Sequence, residues 1–220
     1  MEPMSTRWWT IATLGLLGLS VAAFVAAPLA LPASYDWVEH TTSESGAQGL
    51  EGAWLARLGF VLFGLAVLAV AGRMAHRWGQ RATALHRVFG VCMIGAAAFS
   101  SRSWESNVRY DTTEDFLHSV VATVMGFAFA FGVLAVALVG RERGGRPRLL
   151  DGIAVAATVV LPIAMTVDEP RAGLFQRLMF AIAYAWYARE TLAVGHPRSW
   201  GEPARPLAED WRSAGHERGR

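Results

Sequence analysis

The sequence predicts an all-α integral membrane protein, a bundle of six transmembrane helices with both termini in the cytoplasm. Apolar side chains make up 53% of the 220 residues and charged ones only 17%, whereas about a quarter of a soluble domain is charged. Six apolar runs each reach the ~20 residues that a helix needs to cross the ~30 Å hydrocarbon core. The basic residues are also unevenly distributed between the segments that join these runs, which indicates a fixed orientation.

The six runs form one predicted transmembrane domain, residues 8–194, with helices near 8–31, 53–72, 82–100, 115–140, 149–167 and 172–194. The first run follows Arg7 as a signal peptide would, but its ~22 apolar residues exceed the ~7–15 of a signal core, so we interpret it as a helix. Pro162 lies in the middle of the fifth run and predicts a kink. Residues 1–7 are expected to be a cytoplasmic N-terminus, and residues 195–220, rich in proline and scattered charges, a cytoplasmic disordered tail.

All 20 basic residues are arginines, and their positions predict the orientation. Fifteen lie on one side of the predicted bundle; the other five are Arg57, Arg102, Arg109, Arg171 and Arg177. Because short loops rich in positive charge stay on the cytoplasmic side, the side with fifteen is predicted to be inside. We therefore expect a multi-pass protein of the cell (inner or cytoplasmic) membrane. The net charge of only +2 and the lack of a basic face exclude a nucleic-acid partner.

Polar residues at the predicted outer face need an explanation, because ionisable groups near the membrane interior are costly and often functional. Asp115 and His118 open the fourth helix at an i, i+3 spacing, so the carboxylate can orient the imidazole as in a metal or catalytic site. The same pair also suits a helix N-terminus, where Asp115 stabilises free amides and His118 only reaches toward the interface. Arg177 is expected to face the bundle and to meet an acid, Glu44 or Asp115.

The predicted inner side holds further polar residues. His76 and His86 lie among arginines without the paired spacing of a metal site, so we expect them to be solvated or to extend toward the membrane interface. Asp151, Arg87 and Glu190 lie at helix ends and are expected to pair between helices at the interface.

Three short motifs carry a resemblance to a known family: H-T-T-S-E-S-G-A-Q-G (40–49), D-F-L-H (115–118) and G-L-F-Q-R-L (173–178). The chain resembles a large bacterial and archaeal family of six-helix membrane proteins catalogued as a domain of unknown function, the 998 type. That family is in turn similar to the Frag1/DRAM/Sfk1 group. The resemblance implies the six-helix fold and no established reaction. The characteristic polar positions that it implies are His40, Ser43, Glu44, His118 and Arg177, with Asp111 as an alternative to Asp115.

Three functions remain open. The first is a non-catalytic protein that binds a membrane lipid, a partner membrane subunit or a second copy of itself through a polar outer cavity. The second is a metal-dependent enzyme acting on lipid at the outer leaflet, with His40, His118 and Asp115 holding zinc and activating water. The third is a small transporter, which would usually carry charged residues at mid-depth. The catalytic candidates of the second function are His40, Ser43, Glu44, Asp115, His118 and Arg177; Ser43 can alternatively act as a nucleophile with His118 as its base.

Overall fold

The computed structural model describes residues 5–194, a range that contains helices and turns but no strand. This confirms the predicted all-α architecture. The long helices are α1 (Thr6–Ala26), α2 (Ala53–Trp78), α3 (Gln80–Ala98), α4 (Thr112–Glu142), α5 (Leu149–Val167) and α6 (Ala172–Ala193). Short 3₁₀ turns extend α1 (Ala27–Ala30), interrupt the first long loop (Glu44–Gly46) and precede α6 (Glu169–Arg171).

Four helices, α1, α2, α4 and α5, are long and apolar enough to cross a membrane, as expected of a multi-pass membrane protein. The helices α3 and α6 are of similar length but carry more polar side chains, among them Arg81, His86 and Arg87 in α3. The crossing of all six helices and the cytoplasmic position of the termini therefore stay predictions. The predicted disordered tail, residues 195–220, lies outside the described residues.

Two helices, α2 and α4, extend further than the apolar runs that predicted them. The second run ends near residue 72, but α2 continues to Trp78, and only Gly79 separates it from α3. Arginine, histidine and tryptophan are too polar to continue an apolar run, but they are compatible with a helix, so the helix continues past the end of the run. The turn is made at Gly79, whose φ of 79° lies in the left-handed region that a residue without a Cβ adopts freely.

Successive helices run in opposite directions, so the bundle has two ends. The long-loop end carries residues 31–52, 99–111 and 168–171; the short-loop end carries Gly79 and residues 143–148. Contacts are extensive between α1 and α2, α2 and α3, α3 and α4, and α5 and α6, but sparser between α4 and α5. Among helices that follow one another in the chain, α4 and α5 therefore pack against each other least; α1 and α6 share fewer contacts still.

Candidate functional site

The two long segments at the long-loop end, residues 31–52 and 99–111, form a folded layer that we name the loop cap. Its first fixed point is a capping box between Thr41 and Glu44. The Glu44 carboxylate accepts hydrogen bonds from the Thr41 backbone N–H (2.6 Å) and hydroxyl (2.8 Å), and the Thr41 hydroxyl accepts one from the Glu44 N–H (3.1 Å). This reciprocal arrangement satisfies the free amides of the following 3₁₀ turn. Glu44 is thus engaged within its own loop, and the T-x-x-E spacing in the sequence was the signal for it.

Gln48 joins the two segments of the loop cap. This buried side chain donates to the carbonyls of Ser100 (2.8 Å) and Asp111 (3.1 Å), and its own carbonyl accepts from the Asp111 N–H (2.7 Å). The sequence-based search for a site missed Gln48, because a glutamine in a polar loop carries no signal of burial. Its three hydrogen bonds fix the entry of the chain into α4.

Ser43 and the start of α6 hold the loop cap to the bundle. The Ser43 N–H donates to the side-chain oxygen of Gln176 (3.1 Å), so this serine is held through its backbone. The Gly173 N–H donates to the Glu39 carbonyl (3.0 Å), and the Leu174 N–H to the Val38 carbonyl (2.9 Å). The first amides of a helix have no partner within it, and here the loop supplies the acceptors.

Arg177 does not form the predicted ion pair with Glu44 or Asp115. Its guanidinium donates to the His40 carbonyl (2.8 Å) and to the Tyr35 hydroxyl, and lies 4.5 Å from the centre of the Trp37 ring. Carbonyl dipoles and an aromatic face can satisfy a guanidinium without a carboxylate. Burial raises the pKa of Tyr35 although the neighbouring Arg177 acts to lower it, so the phenol stays protonated at neutral pH. Arg177 therefore anchors the loop cap from α6.

Asp115 and His118 are separated by their partners. His118 is buried, and its Nδ1–H donates to the Phe99 carbonyl (2.7 Å) at the end of α3. The Asp115 carboxylate accepts instead from the Arg102 backbone N–H (2.8 Å). The prediction that these two side chains are hydrogen-bonded to each other is thus wrong. The capping role belongs to Asp111, whose pKa is lowered by hydrogen bonds from the Glu114 and Thr113 N–H groups.

His40 lies at a shallow opening in the loop cap. Its ring stacks on Trp104 (4.7 Å between centroids), and its Nδ1 accepts from the Asp36 N–H (2.8 Å). Glu44, Asp115 and Glu169 also line this opening, which lies where the sequence predicts a polar outer cavity. Within residues 5–194, however, no three His, Cys, Asp or Glu side chains converge as metal ligands would. The zinc site at His40, His118 and Asp115 stays a prediction.

A buried charged cluster occupies the short-loop end. Arg148, which precedes α5, pairs with Asp151 (2.5 Å) and with Glu190 of α6 (2.7 Å). The indole N–H groups of Trp186 (2.9 Å) and Trp78 (3.1 Å) donate to Asp151 and Glu190 respectively. Burial acts to lower the pKa of Arg148, but the two carboxylates outweigh it and raise that pKa. Interhelical pairing of Asp151 and Glu190 was expected from the sequence, but with Arg148 as partner instead of Arg87.

His86 lies beneath this cluster, and the expectation that it is solvated is wrong. The side chain is fully buried, stacks on Trp186 (4.8 Å between centroids), and shares a hydrogen bond with the Tyr187 hydroxyl (2.7 Å). A Cβ added at Gly132 of α4 would lie only 2.9 Å from the imidazole Nε2. Because this burial depends on a glycine in another helix, the sequence around His86 gave no sign of it.

A cleft runs between α4 and α5, the sequential pair of helices with the sparsest contact. One part, which we name the inner part, is a cavity of about 500 Å³ that reaches inward to Phe63 of α2 and Phe180 of α6. A second part, of about 470 Å³, continues to the short-loop end, and Leu134 and Val155 line both. The inner part is almost wholly apolar. Its polar lining residues are Thr123, Thr158 and Gln176. The two threonine hydroxyls donate to carbonyls of their own helices, and the Gln176 amide is hydrogen-bonded to Ser43.

One comparison with known proteins bears on this chain. The sequence profile of a family described as protein of unknown function (DUF998) matches residues 7–192, nearly the whole described range. No curated protein and no solved structure is similar enough to match the chain. The profile match confirms the resemblance carried by the three motifs. The chain therefore belongs to the DUF998 family.

Proposed function

We propose that this protein binds one membrane amphiphile, holding its hydrocarbon chain in the cleft between α4 and α5. The observation that carries the proposal is the cleft itself. Its two parts, about 470 and 500 Å³, each fall within the ~300–1,000 Å³ of small-molecule sites. It follows α4 from Ala122 to Gly140, a rise of about 27 Å against the ~30 Å hydrocarbon core.

The apolar lining selects the class of ligand. A polar substrate would find few partners for its hydrogen-bonding groups in the inner part, because the threonine hydroxyls and the Gln176 amide there are already engaged. A hydrocarbon chain needs no such partners and gains contact with ring faces such as Phe180. The lining therefore supports binding of a lipid chain more than transport of a polar solute.

The shape of the cleft favours a lipid chain over a partner helix. Phe63 and Phe180 line the cleft and also belong to the buried core, so the cleft is a slit that penetrates the bundle. A second bundle would instead need a flat face to cover.

The test blocks the cleft at Gly126, which lines it and has no atom within 4 Å of an added Cβ. Gly126→Leu should abolish photo-crosslinking of a diazirine-bearing phospholipid to α4 and α5 of the full chain in nanodiscs. Native mass spectrometry should show one retained lipid per wild-type chain and none per variant. Gly72→Leu is the matched control, because Gly72 is equally unobstructed but lies in α2 away from the cleft.

Unchanged labelling in Gly126→Leu would contradict the proposal, as would labelling spread evenly over all lipid-facing helices. A polypeptide retained in place of lipid would show that the cleft belongs to a partner helix. If lipid bound instead in the polar outer cavity that the sequence predicts, which lies in the loop cap, the crosslinks would fall on residues such as His40 and Trp104.

A further inference from the structure

The end of the cleft near the short loops is lined by arginines. Five of them face it, Arg77, Arg141, Arg143, Arg146 and Arg148, against two acids, Asp151 and Glu190. The cavity wall therefore carries an excess of three positive charges. Towards the middle of the bundle the same cavity is apolar, with Leu134 and Val155 continuing into the inner part of the cleft. A charged mouth joined to an apolar slit has the polarity of an anionic amphiphile.

Two of these arginines are available to a ligand. Arg148 is paired with Asp151 and Glu190, Arg143 donates to the Arg77 carbonyl (2.8 Å), and Arg77 itself donates to the Ala193 carbonyl (2.6 Å). The exposed side chains of Arg141 and Arg146 make no hydrogen bond, ion pair or ring contact with any other residue in the part of the chain that the structure describes. Their guanidinium groups thus retain all their donors.

Topology alone does not account for this placement. A short loop that stays on the cytoplasmic side needs positive charge, but not charge collected around one cavity. Arg81 and Arg87 of α3 lie near the same end of the bundle and do not line the cleft. The segment R-E-R-G-G-R-P-R (141–148) folds so that its four arginines do, while its one acid, Glu142, does not.

We infer that the amphiphile bound in the cleft is an anionic phospholipid, whose phosphate is held at the short-loop end by Arg141 and Arg146. A guanidinium presents paired N–H donors that match two phosphate oxygens, and basic pockets between transmembrane helices bind anionic headgroups. The hydrocarbon chain then extends past Leu134 and Val155 into the inner part of the cleft. This inference rests on the proposed function and adds the headgroup class and its position.

The experiment measures headgroup preference on the full chain in detergent. Phosphatidylglycerol and phosphatidylcholine with identical acyl chains are offered together, and native mass spectrometry counts the bound form of each. Wild type should prefer phosphatidylglycerol. Each arginine near an anionic headgroup contributes about fivefold, so Arg141→Gln with Arg146→Gln should reduce the preference about 25-fold. Total lipid retention should change little, because the apolar slit is intact.

The control is Arg81→Gln with Arg87→Gln, which removes the same charge from the same end and should keep the wild-type preference. An equal loss of preference in this control would overturn the inference, since diffuse surface charge would then explain it. Lipid retained without any preference in wild type would overturn the headgroup assignment and leave the cleft proposal standing. Wild type that retains no lipid would overturn both.

Discussion

Gly173→Ala is expected to loosen the loop cap from the bundle. A Cβ at this position would lie 2.3 Å from the His40 carbonyl oxygen and 2.7 Å from that of Val38. Neither contact is tolerable, and both atoms belong to the backbone of a segment held at several points. The start of α6 and the loop must therefore move apart by about an ångström, since carbon and oxygen require more than 3 Å.

The magnitude follows from the bonds that cross this contact. The separation weakens the hydrogen bonds from Gly173 and Leu174 to the loop, and the charged bond from Arg177 to His40. Neutral bonds contribute about 0.5–1.5 kcal/mol each and a charged one about 1.5–3 kcal/mol. Alanine regains up to about 1 kcal/mol through its helix propensity. A net loss of about 1.5–5 kcal/mol remains, which makes the open state of the loop at least about tenfold more populated.

Hydrogen exchange of the backbone amides in residues 38–46 measures this population directly. Gly173→Ala should accelerate their exchange at least about tenfold, while the amides of α2 and α3 keep wild-type rates. Gly72→Ala is the control, because an added methyl there meets nothing within 4 Å. Unchanged exchange in Gly173→Ala, or equal acceleration in the control, would refute the view that α6 carries the loop cap.

Three further predictions test other parts of the structure. Arg148→Ala should destabilise the protein by about 3–5 kcal/mol in chemical unfolding, because it leaves buried Asp151 without a countercharge and Glu190 with only its longer contact to Arg189 (3.4 Å). Arg171→Ala at an exposed pair should cost at most about 1 kcal/mol. His118→Gln should keep the melting temperature better than His118→Leu does, because an amide still donates to the Phe99 carbonyl; equal losses would contradict this role. The pKa of Asp111 is lowered, so its carboxylate stabilises α4 above about pH 4 and loses this effect as the pH falls. The side chain of Asp111→Asn does not titrate, so the melting temperature of this variant should fall less steeply below that pH than the melting temperature of wild type.

The helices could be predicted from the sequence because hydropathy is a local property. The fifth run matched α5 at both ends, 149–167, and the sixth missed by one residue. The overextension of α2 to Trp78 escaped prediction because the membrane boundary and the helix boundary are different physical limits. An apolar run ends where water begins, whereas a helix ends where a residue such as Gly79 leaves the right-handed region.

The contacts of the polar residues could not be predicted in the same way. The sequence predicts an acidic partner for Arg177, but in the structure its guanidinium lies against a carbonyl oxygen and two aromatic rings of the loop cap. The partner of His118 is a carbonyl exposed where α3 ends, and a carbonyl has no signature in a sequence. Burial of His86 depends on Gly132, 46 positions away along the chain. Each of these contacts joins parts of the chain that lie apart in the sequence, so no local pattern of residues contains it.

The donors at the two ends of the bundle are used differently, and this moves the proposed binding site away from the face that the sequence indicated. At the long-loop end, Arg57, His118 and Arg177 all donate to backbone carbonyls, the first to Gly46 (2.9 Å) and Ala47 (3.0 Å). A ligand there would have to replace bonds that hold the loop cap in place. At the short-loop end, Arg141 and Arg146 keep their donors beside an open apolar cleft, so an anionic headgroup gains those bonds without breaking any within the described residues.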